Sequence, residues 1–218
     1  MIVVVTGTGT EVGKTWFAAA TIEALRAAGH TVVARKPVQS FAADDPAPTD
    51  AHVLAGASGE DAETVCPAHR WLPMAVAPPM AAAALGLPRF TIAELATEIR
   101  AHLPNGGDDG IVVVEGAGGA RSPIADDGDT VVLAHALAAD RVVIVADAGL
   151  GTINAVRLTV AALSSWMPVI ALNRYDEHDD LHRANRAWLE ERDGYRVVTS
   201  PSGLAEELTS PEASRDRS

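Results

Sequence analysis

Three short runs of β-branched residues constrain this chain most. IVVVT (residues 2–6), IVVVE (111–115) and RVVIVAD (141–147) each pass straight into a glycine-bearing loop. An uninterrupted apolar run of this length, ended by glycine, reads as a strand buried on both faces. Such strands belong to parallel sheets covered by helices on both sides. Helical patterns do follow, at residues 14–28, 91–103, 130–139, 154–166 and 178–192, and 31–35, 168–174 and 195–198 read as further strands. The repeated strand–loop–helix unit predicts an α/β fold of three layers, a mostly parallel central sheet flanked by helices. Ligands of such sheets sit at the carboxyl ends of the strands, so the three glycine loops should converge on one edge.

Local signals refine this picture. Thr91, with Glu94 three residues on, has the pattern of a capping box. Thr49 or Asp50 can cap a short helix running to Leu54. Residues 57–90 are rich in Ala and Pro and read as irregular. Residues 1–204 are expected to form a single domain, and the polar residues 205–218 a frayed tail.

Composition excludes several classes of function. A net charge of −12 opposes a nucleic-acid partner over most of the surface. An anionic nucleotide can still bind where backbone N–H groups and a lysine dominate the local field. One cysteine, Cys66, precludes an intrachain disulfide and fits a reducing compartment. With no signal-peptide pattern and no apolar run long enough to span a bilayer, the expectation is a soluble cytoplasmic protein.

The first loop, TGTGTEVGKT, ends in Gly13-Lys14-Thr15 between a strong strand and a strong helix. That is the context of a P-loop, whose backbone cradles phosphates while its lysine neutralises them and its hydroxyl ligates Mg2+. The common spacing needs glycine at position 8, where this chain has Thr8; five residues separate Gly7 from Gly13. The alternative is a glycine-rich turn with a solvated lysine, and the strand–helix context argues against it.

Other positions are more open. Lys36 follows a strand and precedes Pro37, and is either a surface lysine or a second cation for a transferred phosphoryl group. Of the loop acids Asp44, Asp45 and Asp50, one near Thr15 would complete a Mg2+ shell; otherwise all are solvated. Glu115 ends a buried strand ahead of Gly116, Gly118 and Gly119, as a metal-binding acid does in P-loop proteins. In GLGTIN, Thr152 or Asn154 caps a helix, or the backbone takes an anion. Asn173 suits a turn or a nucleobase edge. His178 and His182 sit at i, i+4 on the charged helix but lack a third ligand, Cys66 lacks a base, and the four tryptophans read as packing residues.

Taken together, VTGTGTEVGKT, KPVQS, TDAHVLA, VEGAGG, GLGTIN and ALNR resemble the dethiobiotin synthetase family, P-loop proteins whose first loop carries one extra residue. The resemblance spans residues 5–174. It implies a P-loop NTPase-type fold and a ring closure in which diaminopelargonic acid, CO2 and MgATP give dethiobiotin, ADP and phosphate. One amine takes up CO2 as a carbamate, which attacks the γ-phosphate to form a carbamic-phosphoric anhydride. The second amine closes the ring and expels phosphate.

The family's roles then fall on matching positions. Lys14 and the backbone of Glu11, Val12, Gly13, Thr15 and Trp16 would hold ATP phosphates. Thr15, Asp50 and Glu115 would bind Mg2+, and Lys36 would be the catalytic cation at the carbamate and γ-phosphate. Thr10 and Ser40 would face the diamine, and Gly116, Ala117 and Gly118 would line the ATP and substrate loop. Asn173, Pro201, Ser202 and Gly203 would meet adenine. Gly151, Thr152 and Asn154 would reach the substrate carboxylate across the interface of a homodimer.

The chain departs from the family at Ala120-Arg121-Ser122, where apolar residues are usual, at Ala155, where His is frequent, and in WLPMAVAPPMAAAALG, which lacks the SPH of the substrate wall. Two rivals share the ATP core. A cobyrinate amidase needs a glutaminase domain that 218 residues cannot hold. A partitioning or septum-site ATPase carries a further lysine early in the loop, and residues 7–13 contain none.

Overall fold

The computed structural model of the protein describes residues 1–103 and 110–210. From the N-terminus, β1 (Ile2–Gly7) leads through the glycine loop into α1 (Lys14–Ala27), β2 (Val32–Arg35) and a two-residue β3 (Gln39–Ser40). Next come α2 (Asp50–Ser58), α3 (Ala62–Val65), β4 (Trp71–Leu72), α4 (Pro78–Ala84) and α5 (Ile92–Ala101). The second half contains β5 (Ile111–Glu115), a short hairpin of β6 (Pro123–Ala125) and β7 (Gly128–Asp129), and α6 (Thr130–Leu137). It finishes with β8 (Arg141–Asp147), α7 (Thr152–Ala162), β9 (Val169–Asn173), α8 (Asp180–Ala187), β10 (Arg196–Val198) and α9 (Pro201–Thr209).

Six strands form one parallel sheet in the order β10-β9-β8-β1-β5-β2. Side chains alternate across it, as the two-residue period of a strand requires. Val4, Val112, Val114 and Ile144 pack into one core with α5 and α6; Val3, Val5, Val113 and Val143 pack into the other with α1, α2 and α9. Both faces are therefore dry, which explains why these strands read as unbroken apolar runs.

β1 lies in the middle, between β5 and β8, so the loop after it opens where chain connections diverge to either side. Glu115 ends β5 in phase with Val113 and Ile111, on the face that α1 covers. That parity turns its carboxylate toward Thr15 instead of toward α5.

Several expectations need correction. Residues 57–90 are not irregular: they hold α3, a 3-10 turn at Ala68–Arg70, β4 and α4. Pro78 and Pro79 open α4, where a missing N–H costs nothing. Pro201, Ser202 and Gly203 are the first turn of α9, capped by Ser200. That helix runs past the expected boundary at 204 and buries Ala205 and Leu208; residues 211–218 of the expected tail lie outside the described residues. The charged helix starts later than expected, with Asp179 as its N-cap, and ends in a π turn at Trp188–Arg192. His178 precedes it, so His178 and His182 do not share a helix face. No helix among the described residues is long and apolar enough to cross a membrane.

Candidate active site

The loop between β1 and α1 is shaped from several directions. Glu11 and Gly13 both adopt left-handed backbone, with φ of 59° and 83°. Asn173, at the end of β9, donates from Nδ2 to the Val12 carbonyl at 3.0 Å. A Cβ at Gly13 would lie 2.1 Å from that same nitrogen, so only glycine fits there. Arg174 donates to the Glu11 carbonyl at 3.0 Å and pairs with Asp147 at 2.7 Å. The ends of β8 and β9 thus strap the loop into place. Lys14 Nζ donates to the Gly9 carbonyl at 2.7 Å, arching back over the loop.

Beneath it lies a charged cluster. Lys36, held at the end of β2 by its own N–H on the Val65 carbonyl, is buried. Its Nζ sits 2.5 Å from Glu115 Oε1, 2.6 Å from Asp50 Oδ2 and 3.3 Å from the Gly116 carbonyl. Thr15 Oγ1 lies 2.9 Å from both Asp50 Oδ1 and Glu115 Oε1, joining the cluster to the loop. Gln39 positions α2, and with it Asp50, by accepting from the Ala51 N–H at 3.0 Å. Gly116 must be small because a Cβ there would meet Thr130 Oγ1 at 2.3 Å.

Electrostatics follow from this packing. Burial works against the charge on Lys36, but Glu115 and Asp50 outweigh it and raise its pKa above the ordinary lysine value. Lys36 is therefore a fixed cation at neutral pH and cannot serve as a general base. Burial raises the Glu115 carboxyl above the usual range, with Asp50 adding to the effect and Lys36 opposing it. Burial also disfavours the charged form of Asp50, but Lys36 beside it prevails and lowers its pKa. Lys14 is lowered, chiefly by burial.

Glu115 Oε2 is fully buried and has no hydrogen-bond partner among the described residues. An orphaned carboxylate oxygen beside a second carboxylate and a hydroxyl is a donor set of hard oxygens. Mg2+ takes such ligands, few from the protein and the rest from water and phosphate. The residues present therefore fit that ion.

A cavity of about 450 Å3 joins these parts. Its lining includes Thr10, Glu11, Gly13, Lys14, Thr15, Trp16, Lys36, Ser40, Asp50, Ala117 and Gly118. Of the loop acids, only Asp50 reaches Thr15; Asp45 caps a turn by accepting from the Ala47 N–H. Trp16 is not a packing residue: it is 58% exposed, bordering this cavity and a cleft of about 420 Å3 with Asn173, Arg174 and Thr199. That cleft stops at Thr199, just short of Pro201, Ser202 and Gly203. Asn154 lines a different groove, and neither Gly151 nor Thr152 lines the main cavity. The α7 N-cap is Gly151 itself, with no side-chain cap from Thr152 or Asn154. Sequence reasoning missed Gln39, Asp147 and Arg174, whose positions at strand ends were the available signal.

A parallel sheet with a glycine loop, lysine and hydroxyl at its central strand, and an acid on the neighbouring strand, defines a P-loop nucleotide-binding protein. A candidate plasmid partition protein from Borrelia burgdorferi B31, solved bound to AMPPNP, shares the fold with a TM-score of 0.53 at 13% identity, covering 97% of this chain and 89% of that one. The family model described as an AAA domain matches residues 2–200. Among curated relatives, the ATP-dependent dethiobiotin synthetase BioD of Rhodococcus jostii is 44% identical over 165 residues, which is 75% of this chain and 68% of the relative. The enzyme of the same name from Haloferax mediterranei is 37% identical over 201 residues, covering 90% and 82%. The chain belongs to the ATP-dependent dethiobiotin synthetase family.

Proposed function

We propose that this chain carboxylates diaminopelargonic acid with CO2 and closes the ring to dethiobiotin at the expense of MgATP, releasing ADP and phosphate. The observation that carries the reading is the buried Lys36, held between Asp50 and Glu115 and joined through Thr15 to the phosphate loop. Family membership supplies the reaction; the cluster supplies a place for it.

The residues divide the work. The backbone of Glu11, Val12, Gly13 and Thr15, with Lys14, holds the nucleotide phosphates at the mouth of α1. Mg2+, held by Thr15, Asp50 and Glu115, would neutralise charge on those phosphates. Lys36 stays protonated and stabilises negative charge, first on a carbamate oxygen and then on the phosphoryl group it attacks. That attack forms the carbamate–phosphate bond as the bond to ADP breaks. The second amine then adds to the carbonyl carbon and phosphate leaves. Thr10, Ser40, Ala117 and Gly118 border the space for the diamine, and Asn173 with Trp16 borders the cleft suited to adenine. Pro201, Ser202 and Gly203 would close that cleft from α9.

The same reading places the protein in the cytoplasm as a homodimer, with Gly151, Thr152 and Asn154 serving the substrate's carboxylate end. Its single cysteine, buried and unpaired, fits a reducing compartment. Incubation with diaminopelargonic acid, bicarbonate and MgATP should give dethiobiotin by mass spectrometry; ATP turnover indifferent to the diamine would sink the reading. Lys36→Ala should lower turnover far more than ATP affinity.

A further inference from the structure

Among the described residues, Glu11, Ala138 and Arg174 adopt left-handed backbone despite carrying a Cβ. Ala138 follows the last turn of α6, where that conformation commonly ends a helix. The other two lie far apart in sequence and are joined by one hydrogen bond, from Arg174 Nη2 to the Glu11 carbonyl. Left-handed backbone is unfavourable for such residues and persists where the surroundings over-determine it. Around Arg174 they do. The carbonyl of its neighbour Asn173 accepts the Ala148 N–H at 3.0 Å, and the guanidinium spans two acceptors, Asp147 Oδ2 through Nη1 and the Glu11 carbonyl through Nη2. Asp147 is fixed in turn, its Oδ1 accepting the Gly149 N–H at 2.9 Å. Arg174 and that N–H hold the Asp147 carboxyl below its ordinary range, so the pair stays ionised at neutral pH.

The bond to Glu11 sets a direction. In a trans peptide the C=O and the N–H of the next residue point opposite ways. Drawing the Glu11 carbonyl out to Arg174 turns the Val12 N–H away from it, and Asn173 does the same for the Gly13 N–H through the Val12 carbonyl. Successive N–H groups turned to one side make an anion-binding concavity. The Arg174–Asp147 pair is itself half exposed, and exposed pairs add little to stability. Its placement is explained instead by the carbonyl it holds.

We propose that Arg174 is a positioning residue for the outer phosphates of ATP, acting through the Glu11 carbonyl to fix the Val12 N–H in its binding direction before the nucleotide arrives. The inference rests on the reading that this loop holds nucleotide phosphates. Arg174 touches the loop from outside, so its effect should grow with the phosphates that the loop must grip and not with the nucleoside.

The test measures MgATP binding by calorimetry, and AMP by competition, on the wild type, Arg174→Met and Asp147→Asn. Losing one hydrogen bond from a charged donor predicts that Arg174→Met weakens MgATP about 10-fold, with AMP affinity within about twofold. Asp147→Asn leaves the Glu11 contact but loosens the other edge of the guanidinium, and should give a smaller loss of the same kind. Hydrogen exchange of the loop amides in nucleotide-free protein should quicken in Arg174→Met. Unchanged MgATP affinity overturns the inference. So does an equal loss on AMP, or unaltered loop exchange alongside weaker MgATP binding, since either would mean that Arg174 touches the nucleotide itself. A wild type that binds MgATP no more tightly than AMP would refute the phosphate role of the loop, and the inference with it. A wild-type preference for MgATP that survives in Arg174→Met refutes the inference alone.

Discussion

Replacing Lys36 by Met retains most of the side-chain volume and removes the charge at the centre of the site. Asp50 keeps 43% of its side chain exposed, so water can take over its compensation. Glu115 cannot be rescued that way: its side chain is fully enclosed, and Oε2 already lacks a partner among the described residues. Removing one member of a buried ion pair costs about 3–5 kcal/mol because the other charge is stranded. For a domain of this size that corresponds to a fall in Tm of about 6–20 °C. Glu115 can escape the penalty by taking up a proton. Burial already raises its pKa in the folded protein, and losing Lys36 raises it further. A carboxyl with a folded pKa above its unfolded value is most stabilising when protonated, and that stability is lost as pH rises through the folded value. Measured against wild type at each pH by denaturant unfolding, the deficit of Lys36→Met should be large at pH 7 and shrink as the solution is acidified. Adding Glu115→Gln should recover most of it at pH 7. A deficit that does not change with pH, or a double variant no more stable than the single one, would refute the idea that a stranded Glu115 charge dominates.

Two further outcomes test the surroundings. Gly13→Ala must displace the Asn173 amide, 2.1 Å from the new Cβ, and adopt left-handed backbone; it should cost at least ~1 kcal/mol of stability and weaken ATP binding by calorimetry, and unaltered affinity would show that the Asn173 contact does not shape the loop. Burial pushes the Cys66 thiol up to about 12, so a disulfide reagent at pH 8 should label it only after unfolding; rapid labelling of the native protein would contradict that burial.

Much of the fold was legible because its strands are buried on both faces and its helices carry local signals. The capping box at Thr91 and Glu94 is present as the sequence implies. Lys14, Thr15, Asp50 and Glu115 could be singled out because each sits next to a strand end or helix start. Their meeting with Lys36 was implied only by the family resemblance and not by the residues themselves, since it depends on the parity of Glu115 in β5 and on β2 pairing with β5. The 57–90 segment misled for a different reason. α4 is mostly proline and alanine, which carry little periodic contrast, and β3 and β4 exist only because Gln39 and Trp71 meet in space. Asn173 was placed correctly at a strand end, but its hydrogen bond to Val12 spans most of the chain and leaves no local trace.

The position of β1 has a consequence for how the molecule comes into being. Both of its neighbours are made much later: Val5 pairs with Glu115 on one side and Val143 on the other. At ~5–20 residues per second, the nascent chain waits about 5–20 s between synthesis of β1 and arrival of its first partner strand. Throughout that interval an apolar strand and the phosphate loop attached to it have no sheet to join. The nucleotide site is thus encoded first and completed late, which makes the early chain dependent on protection from aggregation and its folding slow relative to proteins built from local contacts.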